Sequence, residues 1–234
     1  MDSKFERTLY GSPLAEMRGM IILALFLLSL FLVAFPGFKE YYSKYPLQLA
    51  IGILLGCVLY CPTIFALRYF DRREREPWQL AIFTIFSVTL FFGPVTSHCF
   101  TLVERFISPV WLVGLIEEFW KIVPLLLLVS LIPRAVNGTR DGLIYGALCG
   151  FGFAILEFSA NTVFDYFPAE GWAAFKSALG RWNILGTHNH IIWSAAIGSV
   201  IGWATTQRSS VKRFLLPVAT YLGIALLHTF EDKG

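Results

Sequence analysis

The second half of this 234-residue chain sets ionisable side chains inside stretches that are otherwise apolar. They are Glu117, Glu118 and Lys121, then Glu157, then His188 and His190, and finally His228 followed by Glu231 and Asp232. A charged group at the middle of a bilayer costs about 2.5 to 3.5 kcal/mol on insertion scales, so residues of this kind point to function by default. Carboxylates can take a proton from water, imidazoles can carry protons or bind a metal, and a lysine can neutralise a neighbouring acid. Together these types suit hydrolysis by an activated water, which needs a base and donors for the developing oxyanion. A lone Glu–Lys pair or a lone histidine would more often be structural. Two carboxylates, a lysine and two histidines on four helices favour a reactive or metal-binding site.

The elements that must position them are apolar runs long enough to cross a membrane, for which about 20 residues suffice. Seven occur: Gly19 to Phe35, Leu47 to Leu67, Trp78 to Ser97, Val110 to Ile132, Gly142 to Phe164, Ile184 to Thr206 and Phe214 to Phe230. Pro36-Gly37, the charged run Asp71 to Pro77, Ser108-Pro109, Pro133 with Asn137-Gly138, and Ser209-Ser210 separate them. With 56% hydrophobic and only 15% charged residues, disorder is excluded and lipid is the expected solvent. The net charge of +3 is small and scattered, which argues against nucleic acid. Cys57, Cys61, Cys99 and Cys149 lack metal-ligand spacing and read as small packing residues. The first run lacks the marks of a cleaved leader and is expected to stay as a membrane helix.

The expected fold is therefore an all-α polytopic bundle of about seven transmembrane helices, one integral membrane domain over 1–234. Its site-bearing half is 110–232, with the polar residues on helices four to seven. Twelve Lys and Arg fall on the side of the N-terminus and six on the other. This bias predicts a cytoplasmic N-terminus in the cell membrane. Gly142, Gly146 and Gly150, Gly52 with Gly56, and Gly198 with Gly202 repeat every four residues, a spacing that lets helices approach closely in lipid.

Depth ties the polar residues together. Consecutive helices alternate in direction, so the start of the fourth lies beside the end of the fifth, the start of the sixth and the end of the seventh. Glu117, Glu157 and His190 then all sit about 10 Å in from one face, the extracytoplasmic one by the charge bias, with His228 shallower. Glu157 shares a stripe with Gly150, and His190 shares one with Ser194, Ile197 and Gly198. His188, two positions away, points nearly opposite, so His190 is the favoured inward residue. Lys121 is within reach of both Glu117 and Glu118, and His228 of Asp232.

These residues resemble the PrsW family of intramembrane proteases and, more distantly, the CAAX prenyl endopeptidase superfamily. The resemblance rests on Glu117-Glu118-Phe119-Trp120-Lys121, on Asp141 through Glu157, on His190 through Ser194 with Gly198, on His228 to Asp232, and on Asp71 to Trp78. Phe158 stands where the family usually has asparagine. The resemblance implies peptide-bond hydrolysis within the membrane, and a single-span membrane protein such as an anti-sigma factor as substrate. Glu117 is the expected base, with Glu118 and Lys121 setting its charge. Glu157 and His190 share the water, and His228, oriented by Asp232, donates to the oxyanion. Metal-free chemistry ranks slightly ahead of a version in which Glu157, His190 and His228 hold Zn²⁺ and Glu117 remains the base. An ion- or proton-coupled transporter and a non-catalytic membrane scaffold are the competing readings.

Overall fold

A computed structural model of the chain describes residues 43–73, 76–103, 106, 112–181 and 188–231. The first apolar run, Gly19 to Phe35, and Asp232 lie outside the described residues. Each of the other six runs forms a helix. The first, α1 (Pro46–Phe70), opens on a proline, whose fixed φ suits the first helical turn. Leu49, Gly52, Gly56 and Tyr60 form its buried stripe, whereas Leu54, Val58 and Phe65 are exposed, as expected of a lipid-facing side. Next, α2 (Trp78–Ser87) runs through a π-helical turn, Val88–Phe92, into α3 (Gly93–Val103). The widened turn immediately precedes Gly93-Pro94, where the proline has no N–H to donate. This element reaches Val103, six residues past the end expected from hydropathy.

The second half holds α4 (Val113–Leu131) and α5 (Thr139–Ala160), the latter prolonged by a π-helical segment, Asn161–Tyr166. Two short helices, α6 (Phe167–Glu170) and α7 (Ala174–Arg181), follow in what the sequence left as a connection. Then come α8 (His188–Thr205) and α9 (Ser210–Glu231). No strand occurs among the described residues. Pro46–Phe70, Trp78–Val103, Thr139–Phe164 and Ser210–Glu231 are long and apolar enough to cross a membrane. The helices α4 and α8 fall short of that measure because polar residues replace apolar ones: Glu117, Glu118 and Lys121 in the first, His188-Asn189-His190 in the second. The architecture is an all-α membrane helix bundle.

Its centre is α5, buried along nearly all of its length. The glycine ridges explain how. A Cβ added at Gly142 would lie 2.1 Å from the carbonyl oxygen of Gly198, one at Gly146 2.2 Å from that of Ser194, and one at Gly150 2.2 Å from that of His190. In the other direction, a Cβ at Gly202 would meet the Gly138 oxygen at 2.1 Å. Thus α5 and α8 touch backbone to backbone over four turns, which only glycine permits. On other sides of α5, Gly52 of α1 faces Ser159, and Thr89 of the π-turn donates to the Gly152 carbonyl at 2.9 Å.

At the end of the bundle where α1 gives way to α2, a buried polar network ties three elements together. Asp71 Oδ2 accepts from Arg68 at 3.0 Å and from the Glu76 amide at 2.8 Å. Tyr145 donates to Glu76 Oε2 at 2.8 Å, and Arg68 covers the Trp78 ring at 3.9 Å. Burial pushes the Glu76 carboxyl up to about 8, helped by the neighbouring charge of Asp141, which also shares a hydrogen bond with it.

Two expectations follow. Gly146→Val should drive a side chain into the Ser194 carbonyl and lower stability by about 3 kcal/mol or more. Gly223→Ala, at a position with no heavy atom within 4 Å of the new Cβ, should be neutral or slightly stabilising; thermal unfolding in detergent compares the two. For Glu76, the folded chain holds its proton up to about 8 against an ordinary value of 4.5. Its contribution to stability is therefore full below the lower value and is lost as pH rises through the higher one. Denaturant titrations across that window should show the decline in the parent chain and a flatter profile in Glu76→Gln.

Candidate active site

Four helices deliver the cluster. Helix α4 contributes Glu117, Glu118 and Lys121 near its start, α5 contributes Glu157 near its end, α8 contributes His190 at its start, and α9 contributes His228 near its end. The glycine contact sets two of these directly. Gly150 rests on the His190 carbonyl, and Glu157 lies two helical turns further along the same stripe of α5. The α4–α9 side is fastened by other contacts. Gly114 admits α9 so closely that a Cβ there would lie 1.9 Å from the Ala225 oxygen, and Tyr221 donates to the Leu115 carbonyl at 2.6 Å.

Lys121 is the hub. Its ammonium lies 2.8 Å from Glu118 Oε1, 2.7 Å from His190 Nδ1 and 3.5 Å from Glu117 Oε2, and it sits 4.1 Å from the centre of the Phe153 ring. An ammonium only donates, so His190 Nδ1 accepts. The other nitrogen, Nε2, lies 2.5 Å from Glu157 Oε2, but outside hydrogen-bonding geometry. Glu118 Oε1 also meets His228 Nδ1 at 2.8 Å, and His228 Nε2 then points toward Glu117 Oε2, 3.5 Å away. Trp193 stacks obliquely on His228 at 4.8 Å and Phe153 meets His190 edge-on at 5.3 Å, so aromatic rings fix both imidazoles.

Access to water divides the carboxylates. Glu118 and Lys121 are fully buried, whereas the Glu117 side chain is 17% exposed and that of Glu157 30% exposed. Among the described residues, buried Glu118 Oε2 has no hydrogen-bond partner, and buried Glu157 Oε2 meets the His190 ring as an ion-pair contact. One oxygen of Glu117 and one ring nitrogen each from His190 and His228 lie within 4.8 Å of one another, a spacing that suits three ligands of a single cation. Two imidazoles and a carboxylate form a recurrent set for zinc, with a position left open for water. Three carboxylates against one lysine also leave negative charge for a divalent ion to balance.

The structure thus brings Glu117, Glu118, Lys121, Glu157, His190 and His228 together, while the side chain of His188 and all of Asp232 are outside the described residues. The ligand atoms that lie within 4.8 Å of one another belong to Glu117, His190 and His228, and Glu157, expected from sequence beside the histidines, lies against His190 Nε2 at 2.5 Å. Glu118, 110 positions away in sequence, also holds His228, a pairing that no local spacing reveals. Trp193 and Phe153 lie within the motifs that carry the resemblance, but with no polar signal their packing role was not legible.

Removing the hub should be costly. Lys121→Met leaves Glu117 and Glu118 without their buried cation and should lower stability by about 3 to 5 kcal/mol, read as a fall in the midpoint of thermal unfolding.

Comparison with curated proteins and with solved structures returned no match. A family model described as PrsW family intramembrane metalloprotease matches residues 48–231, from the first turn of α1 to the last residue of α9. That match takes in the whole cluster and most of the sequence, and the chain accordingly belongs to the PrsW family of intramembrane metalloproteases.

Proposed function

We propose that the chain hydrolyses a peptide bond in a single-span membrane protein, such as an anti-sigma factor, near the extracytoplasmic boundary of the cell membrane. In this reading Glu117, His190 and His228 hold a divalent metal ion, most simply zinc, and Glu157 is the base. The carrying observation is the convergence of those three ligand atoms within 4.8 Å, from three separate helices of an apolar bundle. When bound, zinc supplies a Lewis acid that makes a coordinated water acidic enough to ionise near neutrality. The unpaired Oε2 of Glu118 and the surplus of carboxylates favour this chemistry over the metal-free version, in which Glu117 would be the base.

The protein's own residues divide the remaining tasks. Glu157, the most water-exposed carboxylate of the cluster, accepts the proton of the attacking water and returns it to the departing amide nitrogen. Glu118 holds Nδ1 of His228 so that Nε2 faces the donor set, the arrangement by which a carboxylate orients a ligating histidine. Lys121 holds Glu118 and offsets part of the negative charge, and for His190 to bind the ion through Nε2 the proton moves to Nδ1 and the Lys121 contact opens. The apolar walls exclude bulk water and strengthen each of these interactions.

The test is to reconstitute the purified protein with single-span membrane proteins and identify new peptide termini. Glu157→Gln should lower their rate of appearance by about 100-fold or more, with metal content retained. Glu117→Gln and His228→Ala should lose both cleavage and bound zinc, measured by elemental analysis. Full cleavage by both Glu117→Gln and His190→Ala would end the hydrolase reading. Zinc-free protein that cleaves in the presence of a chelator would return the chemistry to glutamate alone, with Glu117 as base.

A further inference from the structure

A groove of about 920 Å³ lies between α4, α8 and α9, below the cluster. Apolar side chains such as Ile122, Val129, Ile201 and Val218 line its length, while Phe119, Ile197 and Tyr221 close its upper end. Its lower end differs in character. Asn137, Thr205, Thr206 and Arg213 line it there, none of the described lining residues is acidic, and the exposed Lys212 stands beside Arg213 with Arg208 in the same turn. The groove is one leaflet deep. From Phe119 to the end of α4 at Leu131 the helix rises about 18 Å, and from Arg213 to Leu222 on α9 about 14 Å. Half of the hydrocarbon core measures about 15 Å. A crossing helix needs twice that length, whereas the acyl chains of a single lipid need no more than this.

We propose that this groove is a binding site for an anionic phospholipid, with its chains along the apolar walls and its phosphate at Arg213, Asn137 and Thr206. Basic pockets between membrane helices on the positively charged side of a protein recognise anionic headgroups in this way. The guanidinium of Arg213 is already held at the mouth, because its Nε donates to the Gln207 carbonyl. The upper end of the groove also bears on the cluster. Phe119 adjoins Glu118, Ile197 lies two turns from His190, and Tyr221 lies two turns from His228. The lipid therefore wedges between the three helices that carry those residues and sets their spacing. The proposal stands apart from hydrolysis, since binding needs no turnover.

Delipidated protein offered phosphatidylglycerol or phosphatidylcholine of identical chain composition, and weighed by native mass spectrometry, tests it. The parent chain should retain phosphatidylglycerol at least 10-fold better and unfold at a higher temperature with it. Arg213→Gln should abolish the preference while leaving weak binding of both lipids. Ile201→Trp, which fills the groove and leaves the mouth intact, should reduce both. Gel filtration and circular dichroism verify that each variant is folded. Equal retention of the two lipids by the parent chain, an unchanged preference in folded Arg213→Gln, or a protein segment crosslinked in the groove in place of lipid would overturn the proposal.

Discussion

The bundle depends on one contact, the meeting of α5 and α8 without intervening side chains. Five glycines, Gly142, Gly146 and Gly150 on one helix and Gly198 and Gly202 on the other, bring carbonyl oxygens to where any Cβ would overlap them. In lipid there is no hydrophobic gain from joining two apolar helices, so close van der Waals contact is what holds them. The same contact fixes the relative height of the two helices to within a fraction of a turn. Glu157 and His190, two turns along and directly across from Gly150, inherit that registration.

Around this axis the remaining helices are arranged by polar contacts that lipid makes unusually demanding. A buried ion pair rarely adds net stability, but removing one partner leaves a charge with nothing to compensate it. Lys121 serves three acceptors on two helices, and Glu118 serves two donors on two helices, so α4, α8 and α9 are held at one geometry. The network at the opposite end, with Arg68, Asp71, Glu76 and Tyr145, performs the corresponding task for α1, α2 and α5.

Much of this was legible in the sequence, and the reasons are particular. Hydropathy located the six long helical elements among the described residues, four of them apolar enough to cross a membrane, because their runs are long and their breaks are marked by proline, glycine and charge. Threading order alone brought Glu117, Glu157, His190 and His228 to one level, since alternating helices constrain depth strongly. Helical phase chose Gly150 and Glu157 for one face. Rotation about each axis was less legible, because it depends on contacts between distant residues. Sequence spacing linked His228 to Asp232, which lies outside the described residues, and gave no sign of the contact with Glu118. Glu157 was placed beside the histidines and lies 2.5 Å from His190, while spacing gave no hint that Glu117 also brings an oxygen within 4.8 Å of both imidazoles. The Asp71 to Trp78 and Asp141 to Tyr145 segments stood out as motifs without a reason, and the reason is a shared tertiary network. The π-helical turns and the helices of Phe167 to Arg181 left no periodic signal, being local adjustments to a proline and to a short connection.

The double use of Glu118 Oε1, by Lys121 and His228 at once, means that these three positions form a single thermodynamic unit. Their substitution energies will be strongly non-additive. Change at one of them is tolerable only with compensating change at the others, so divergence among related chains should occur at the three together or at none.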